Sequence, residues 1–186
     1  DKIIYQIIRG LADIILVGAG TVRAENYRPP RTPEGALAEF RESRGQQKRP
    51  RIAVVSGELN LDPEMSLFSE NLPEDKPPLI YTKSGSVEKN GSNFSSFAEV
   101  IDFPGEELDI SKILEDILKQ NGKIVVCEGG PTLNSKLLTA GLIDEFCLSI
   151  SPRAVGGETS PLLLEQAVDS PTELSLDRVL FEDEFL

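Results

Sequence analysis

Ala12-Asp13-Ile14-Ile15-Leu16-Val17-Gly18-Ala19-Gly20-Thr21 is the stretch that decides the fold. Its first half is a short apolar run with one acid. That reads as a strand buried on both faces, the type found in parallel sheets. Two glycines follow at once, then a polar turn from Val22 to Asn26. The same grammar returns at Val125-Val126-Cys127-Glu128-Gly129-Gly130-Pro131-Thr132. Glycine lets the backbone turn sharply and lets a ligand approach it closely. A helix start just beyond offers free N–H groups to a phosphate. Ligands of open α/β sheets bind at the carboxyl ends of the strands. Two such turns suggest a dinucleotide gripped between them. Glycines that merely end a strand are the plainer reading. The first turn is also not G-x-G-x-x-G, because Arg23 stands at its last position. The second is harder to explain by packing, since Glu128 places a carboxylate in the crevice.

Working outward, residues 3–12 look helical, with Ile4, Ile7, Ile8 and Leu11 on one stripe and Arg9 off it near the end. Residues 27–50 are rich in Pro, Arg, Glu and Gln and read as a surface insert, with a short exposed helix at 36–44. Further strands are expected at 51–56, 79–82, 99–103 and 123–127, and a loop at 84–96. Residues 109–121 form the clearest helix, with Asp109 as N-cap and Gly122 as stop. A helix follows Pro131, carries Leu133, Leu137 and Leu138 on its face, and closes at Gly141. Residues 144–151 alternate and end at Pro152, while 174–180 and Leu186 read as closing strands. Strands alternating with helices imply a three-layer α/β/α sandwich around a mainly parallel sheet.

The chain has 186 residues, which suits one domain spanning 1–186. Its net charge of −12 argues against nucleic acid or an anionic membrane as the main partner. Residues 1–51 hold ten Lys and Arg against six acids, so a basic region of +4 sits in a protein whose remainder carries −16. That fits a phosphorylated small molecule, and equally an ordinary solvated face. No apolar run approaches the roughly 20 residues of a membrane span, and the opening residues are not a signal peptide. Both point to the cytoplasm. There is no histidine, and the two cysteines, Cys127 and Cys147, lie twenty apart in apolar runs. Both read as small core hydrophobes, and no usual zinc site or metal site is expected. Without histidine there is no Ser-His-Asp or Cys-His nucleophile. Any reactive group is expected from a bound cofactor.

The stretch from Arg9 to Asn26 resembles the opening of the cofactor site in the pyrimidine reductases of riboflavin biosynthesis. The runs 128–133, 140–145 and 151–157 are similar to the C-terminal half of those reductases, and the resemblance implies that the chain corresponds to the C-terminal reductase domain of the bifunctional deaminase-reductase. The resemblance covers nearly the whole chain outside the 27–50 insert. It implies a dihydrofolate-reductase-like fold, NADPH as cofactor, a homodimer, and reduction of a phosphoribosylaminopyrimidine from ribosylamino to ribitylamino. By position, it places Gly18, Gly20, Thr21, Glu25 and Ser56 at the cofactor. Gly129, Gly130, Pro131, Thr132, Leu133, Asn134 and Ser135 would hold the pyrophosphate. It places Arg9 and Glu128 at the substrate, with Glu128 as the candidate proton relay. Lys83, just past the third strand, is our own candidate for the 2′-phosphate, an exposed lysine being the plainer reading. Three features depart from the family. Its first strand, which lines the active site, has no counterpart here. Glu25 stands where Asp is more usual. The phosphate contact after it is not cleanly reproduced, leaving Arg28 and Arg31 as candidates. Two other functions therefore stay open: reduction of another pterin-like or pyrimidine substrate such as dihydrofolate, and a nucleotide-binding module without catalysis.

Overall fold

The computed structural model describes residues 2–150 and 172–180. Five strands form one sheet: β1 (Ile14–Gly18), β2 (Arg51–Val55), β3 (Leu79–Lys83), β4 (Glu99–Phe103) and β5 (Val125–Cys127). Their order is β4-β3-β2-β1-β5, and every pairing is parallel. All five carboxyl ends therefore share one edge. The chain runs outward from β1 through β4, then returns to the other side of β1 as β5. The strand order reverses between β1 and β5, which is where open α/β sheets bind ligands. Both glycine turns flank that point.

The described residues also form seven α-helices before, between and after these strands: α1 (Lys2–Leu11), α2 (Ala19–Ala24), α3 (Ala36–Ser43), α4 (Ser66–Ser69), α5 (Ser86–Asn90), α6 (Ile110–Lys119) and α7 (Pro131–Thr139). Alternation along β1 divides the core. Ile15 and Val17 pack with Val22, Leu67, Phe68 and Phe94 on one face. Ile14 and Leu16 pack with Ile113, Ile117, Leu133 and Leu137 of α6 and α7 on the other. The result is the three-layer sandwich expected from strand–helix alternation. Asp109 caps α6 as expected, its side chain accepting from the N–H groups of Ser111 and Lys112 at 3.0 and 3.4 Å.

Several local expectations are corrected. Residues 84–96 hold α5 and a 3-10 turn, Gly91–Phe94, whose Phe94 is buried and meets Phe68 edge-on at 5.4 Å. The 4-residue α4 was not expected, being too short to show a helical period. Residues 144–150 form no strand and are exposed. Cys147 is therefore exposed and not a core residue, whereas Cys127 is partly buried on β5. Residues 172–180 also form no strand, and Pro152 and Leu186 lie outside the described residues. The stripe on α1 is only half used, with Ile4 and Ile7 at 38% and 42% exposure.

The 27–50 segment carries an exposed stretch around α3, yet it is tied down at Tyr27, Pro30, Arg41 and Pro50, all buried. Arg41, at 2% exposure, donates from Nη1 to the carbonyls of Gly10 and Ala12 at 2.8 and 2.6 Å, and from Nε to Gln47 at 2.8 Å. Helix ends leave carbonyls without partners, and here a side chain from α3 satisfies them. Gly10 makes this possible, since a Cβ there would lie 2.1 Å from Leu37 Cδ2. The end of α1, which carries Arg9, is thus fixed from outside its own helix.

Candidate active site

At the switch point the two glycine turns touch. The Gly18 N–H donates to the Gly129 carbonyl at 2.7 Å, and the Glu128 N–H donates to Leu16 at 2.9 Å. A Cβ on Gly18 would lie 3.4 Å from the Gly130 nitrogen, and one on Gly130 would lie 2.9 Å from Thr21 Oγ1. The Gly129–Gly130 peptide is cis, and Gly129 has a φ of +79°. α7 begins here with Pro131 in its first turn and no side-chain cap. Its first-turn amides beside a glycine cradle make a fitting pyrophosphate seat. Asn134 is near Gly129, and its Oδ1 accepts from the Cys127 thiol at 3.7 Å. Burial pushes that thiol up to about 11.

Beside this cradle, Arg9 and Glu128 are brought together. Arg9 Nε donates to Oε1 and Nη2 to Oε2, each at 2.6 Å, a bidentate pair. Their side chains are 20% and 8% exposed. Two tyrosines complete the cluster. The Tyr27 hydroxyl accepts from Arg9 Nη2 at 2.7 Å and donates to Glu128 Oε2 at 2.5 Å. The Tyr5 hydroxyl donates to the same oxygen at 2.7 Å. The guanidinium carbon lies 4.5 Å from the Tyr5 ring centre and 5.2 Å from that of Tyr27. Burial opposes charge on Arg9, but the hydrogen bond and charge of Glu128 outweigh it and raise its pKa. Both phenols are also raised, first by burial and then by Glu128. The donors divide unequally: Oε2 receives three and Oε1 one. Oε1 is therefore the oxygen with a lone pair to spare.

In front of the cluster opens a cleft of about 300 Å³ lined by Tyr5, Arg9, Glu25, Asn26, Tyr27 and Arg28. Glu128 is not among its lining residues and meets it through Arg9, Tyr5 and Tyr27, which are. Of the two phosphate candidates, Arg28 lines the cleft and reaches Glu70 at 3.8 Å. Arg31 is exposed and does not line it. Ser56 is buried at the end of β2. Lys83 is partly buried and forms an ion pair with Glu58, a contact that holds the Glu58 carboxyl below its ordinary range. An incoming phosphate would compete with Glu58 for it. Leu133 packs in the core, while Thr132 is exposed and Ser135 buried.

Sequence reasoning missed Tyr5, Asn26 and Tyr27. Tyr5 precedes Arg9 by four residues, a spacing that puts both on one face of a helix and was available as a signal. Tyr27 has no local signal, because its partners are 18 and 101 residues away. A second cavity, bounded by Arg49, Arg51, Asp75 and Pro78, lies at the opposite edge of the sheet. There Arg49 pairs with Asp75, and Arg51 with Glu99.

Comparison with known proteins bears on this site. The family model described as the RibD C-terminal domain matches residues 1–180. The chain is 29% identical over 166 residues to the 2,5-diamino-6-ribosylamino-4(3H)-pyrimidinone 5′-phosphate reductase of Archaeoglobus fulgidus, covering 89% of this chain and 73% of that protein. It is 26% identical over 153 residues to the riboflavin biosynthesis protein RibD of Bacillus amyloliquefaciens, covering 81% of this chain and 37% of that one. Among solved structures, a pyrimidine reductase-like protein from Corynebacterium diphtheriae superposes with a TM-score of 0.76 at 29% identity, covering 87% of this chain and 67% of that one. The yeast riboflavin biosynthesis reductase Rib7 shares the fold, with a TM-score of 0.64 at 21% identity over 90% of this chain and 71% of that one.

Proposed function

The chain belongs to the RibD C-terminal domain family, and from that premise we propose that it is an NADPH-dependent reductase. Its substrate would be a ribosylaminopyrimidine 5′-phosphate, reduced at the ribose carbon to the ribitylamino product. The observation that carries this reading is the Arg9–Glu128 pair, set behind a cleft at the strand-order switch point and beside the glycine cradle. The pyrimidinone 5′-phosphate reductases of Archaeoglobus fulgidus and Methanothermobacter thermautotrophicus support the substrate class.

Gly18, Gly20, Thr21, Glu25 and Ser56 line the cofactor's path, and residues 129–135 would hold its pyrophosphate. The cradle fits such a group because it has no room to spare for a side chain at Gly130. When bound, the cofactor supplies hydride from nicotinamide C4. The chain's own part is positioning, which can be worth several powers of ten in rate. Arg9 spends Nε and Nη2 on Glu128 and Tyr27. Its remaining Nη1 is the group to meet a pyrimidine carbonyl or a phosphate. Glu128 would accept a ring N–H or amino group through Oε1. For Glu128 to carry a proton to the reacting nitrogen, at least one of its four donors would first have to move. Arg28, at the cleft mouth, is the better placed of the two candidates for the sugar phosphate. The half-exposed apolar side of α1 supports a homodimer.

The test is loss of nicotinamide absorbance on mixing the protein, NADPH and the ribosylaminopyrimidine phosphate. We expect turnover that R9A and E128A each lower by at least about 100-fold, the scale of losing a buried charged partner. Binding of NADPH without turnover would move the assignment to another substrate or to a non-catalytic module.

A further inference from the structure

We propose that Tyr27 is a positioning residue that locks the Arg9–Glu128 pair into its working geometry. The proposal rests on the functional reading above for what the pair does, and on the following geometry for the lock itself.

Arg9 and Glu128 come from distant elements, the end of α1 and the end of β5. Between them they carry many rotatable bonds, so their mutual placement is costly in conformational freedom unless something fixes it. Tyr27 touches both. Its hydroxyl accepts from the Arg9 nitrogen and donates to the Glu128 oxygen, so both of its hydrogen-bonding roles are spent inside the pair. Its ring flanks the guanidinium at 5.2 Å. At 4% exposure, with only two side-chain torsions and a place in the core, it is the rigid member of the three. Tyr5 also reaches Glu128, and its ring lies 4.5 Å from the guanidinium, but it is 44% exposed and its hydroxyl bonds to the carboxylate and not to Arg9.

The backbone explains how a residue in a cleft-lining turn comes to be buried. The Glu25 N–H bonds to Thr21 at 3.0 Å and the Tyr27 N–H to Val22 at 3.2 Å, which continues the last turn of α2. Asn26 between them adopts a φ of +45°, a region where Asn is among the more tolerant residues. The chain thereby turns Tyr27 into the core while Glu25, Asn26 and Arg28 remain around the cleft. One short segment both borders the ligand and sets the pair behind it.

The test is Y27F, which keeps the ring and its packing and removes only the hydroxyl. Its control is Y81F. Tyr81 is equally buried and donates to Asp116 at 2.8 Å, far from the cleft, so Y81F loses a comparable bond with no part in the site. We expect Y27F to raise the substrate KM and lower kcat, with kcat/KM down by at least about tenfold, the scale of one charge-assisted hydrogen bond. The NADPH dissociation constant should stay within about twofold, and Tm should fall no further than in Y81F. A crystal structure of Y27F reads the lock without turnover, and we expect Arg9 or Glu128 to leave the bidentate arrangement. An unchanged pair, or Y27F kinetics matching Y81F while R9A abolishes activity, would overturn the proposal. If R9A and E128A also turn over normally, the functional reading fails instead. The Y27F structure still decides whether Tyr27 holds the pair.

Discussion

Gly130 shows how a single residue can be required by what surrounds it. Its φ is ordinary, at −80°, so backbone freedom is not the reason for glycine. The reason is space: a Cβ would meet Thr21 Oγ1 at 2.9 Å, across the contact between the two turns. Thr21 would have to rotate or the turns would have to part, and both lie on the proposed cofactor path. G130A is therefore expected to weaken NADPH binding by about tenfold or more, since overpacking of this kind costs about 1–3 kcal/mol. Fluorescence titration checks it, and an unchanged affinity would show that the cradle tolerates the methyl group. At this scale the sequence was partly legible. Glu128 and the glycines stand beside recognisable strand ends, where residue type and place both carry information, and Arg9 stands near the end of the helix that feeds β1. Tyr27 carries none, because a tyrosine after a polar turn looks the same whether it faces solvent or a buried ion pair. Of the two phosphate candidates after Glu25, Arg28 lines the cleft and Arg31 does not.

The element scale turns on how helix ends are held. Arg41 of α3 supplies donors to the terminal carbonyls of α1, and Gln46 adds bonds to Leu11 at 3.1 Å and to Asp13 at 2.6 Å. Asp13 in turn accepts from the Lys123 and Ile124 N–H groups at 2.9 and 2.8 Å, joining α1 to the start of β5. The two elements that carry Arg9 and Glu128 are thus cross-braced, right after Arg9 in α1 and at the start of β5. R41A leaves those buried carbonyls unpaired and should cost about 2–4 kcal/mol in denaturant unfolding. A loss below about 0.5 kcal/mol would contradict the bracing. Little in the amino-acid pattern announces this arrangement. A proline- and arginine-rich stretch lacks apolar periodicity, and its one buried charged anchor is the kind of residue that pattern reading assigns to solvent. The strands were legible because parallel strands buried on both faces are continuous apolar runs. Residues 144–150 carry a strand-like alternation too, but alternation states only what a segment would present if it paired.

For the whole molecule, the order β4-β3-β2-β1-β5 does most of the functional work. It sets two glycine turns side by side at a point where the strand order reverses, and it brings the end of α1 against the end of β5. Of the ten basic residues in 1–51, Arg9 and Arg28 line the cleft, beside Glu25, while Arg49 and Arg51 lie at the opposite edge of the sheet. This level was readable in advance from strand–helix alternation and from the position of the glycines. What alternation does not specify is the side of β1 on which β5 lies, and that choice creates the site. The central claim is that this site transfers hydride to a ribosylaminopyrimidine phosphate. The most direct measurement is turnover with NADPH carrying deuterium at both nicotinamide C4 positions, followed by mass spectrometry of the product. The account predicts a ribitylaminopyrimidine phosphate carrying one deuterium on the former ribose C1′. Unreduced substrate recovered after NADPH binding, or a reduced product without the label, would contradict it.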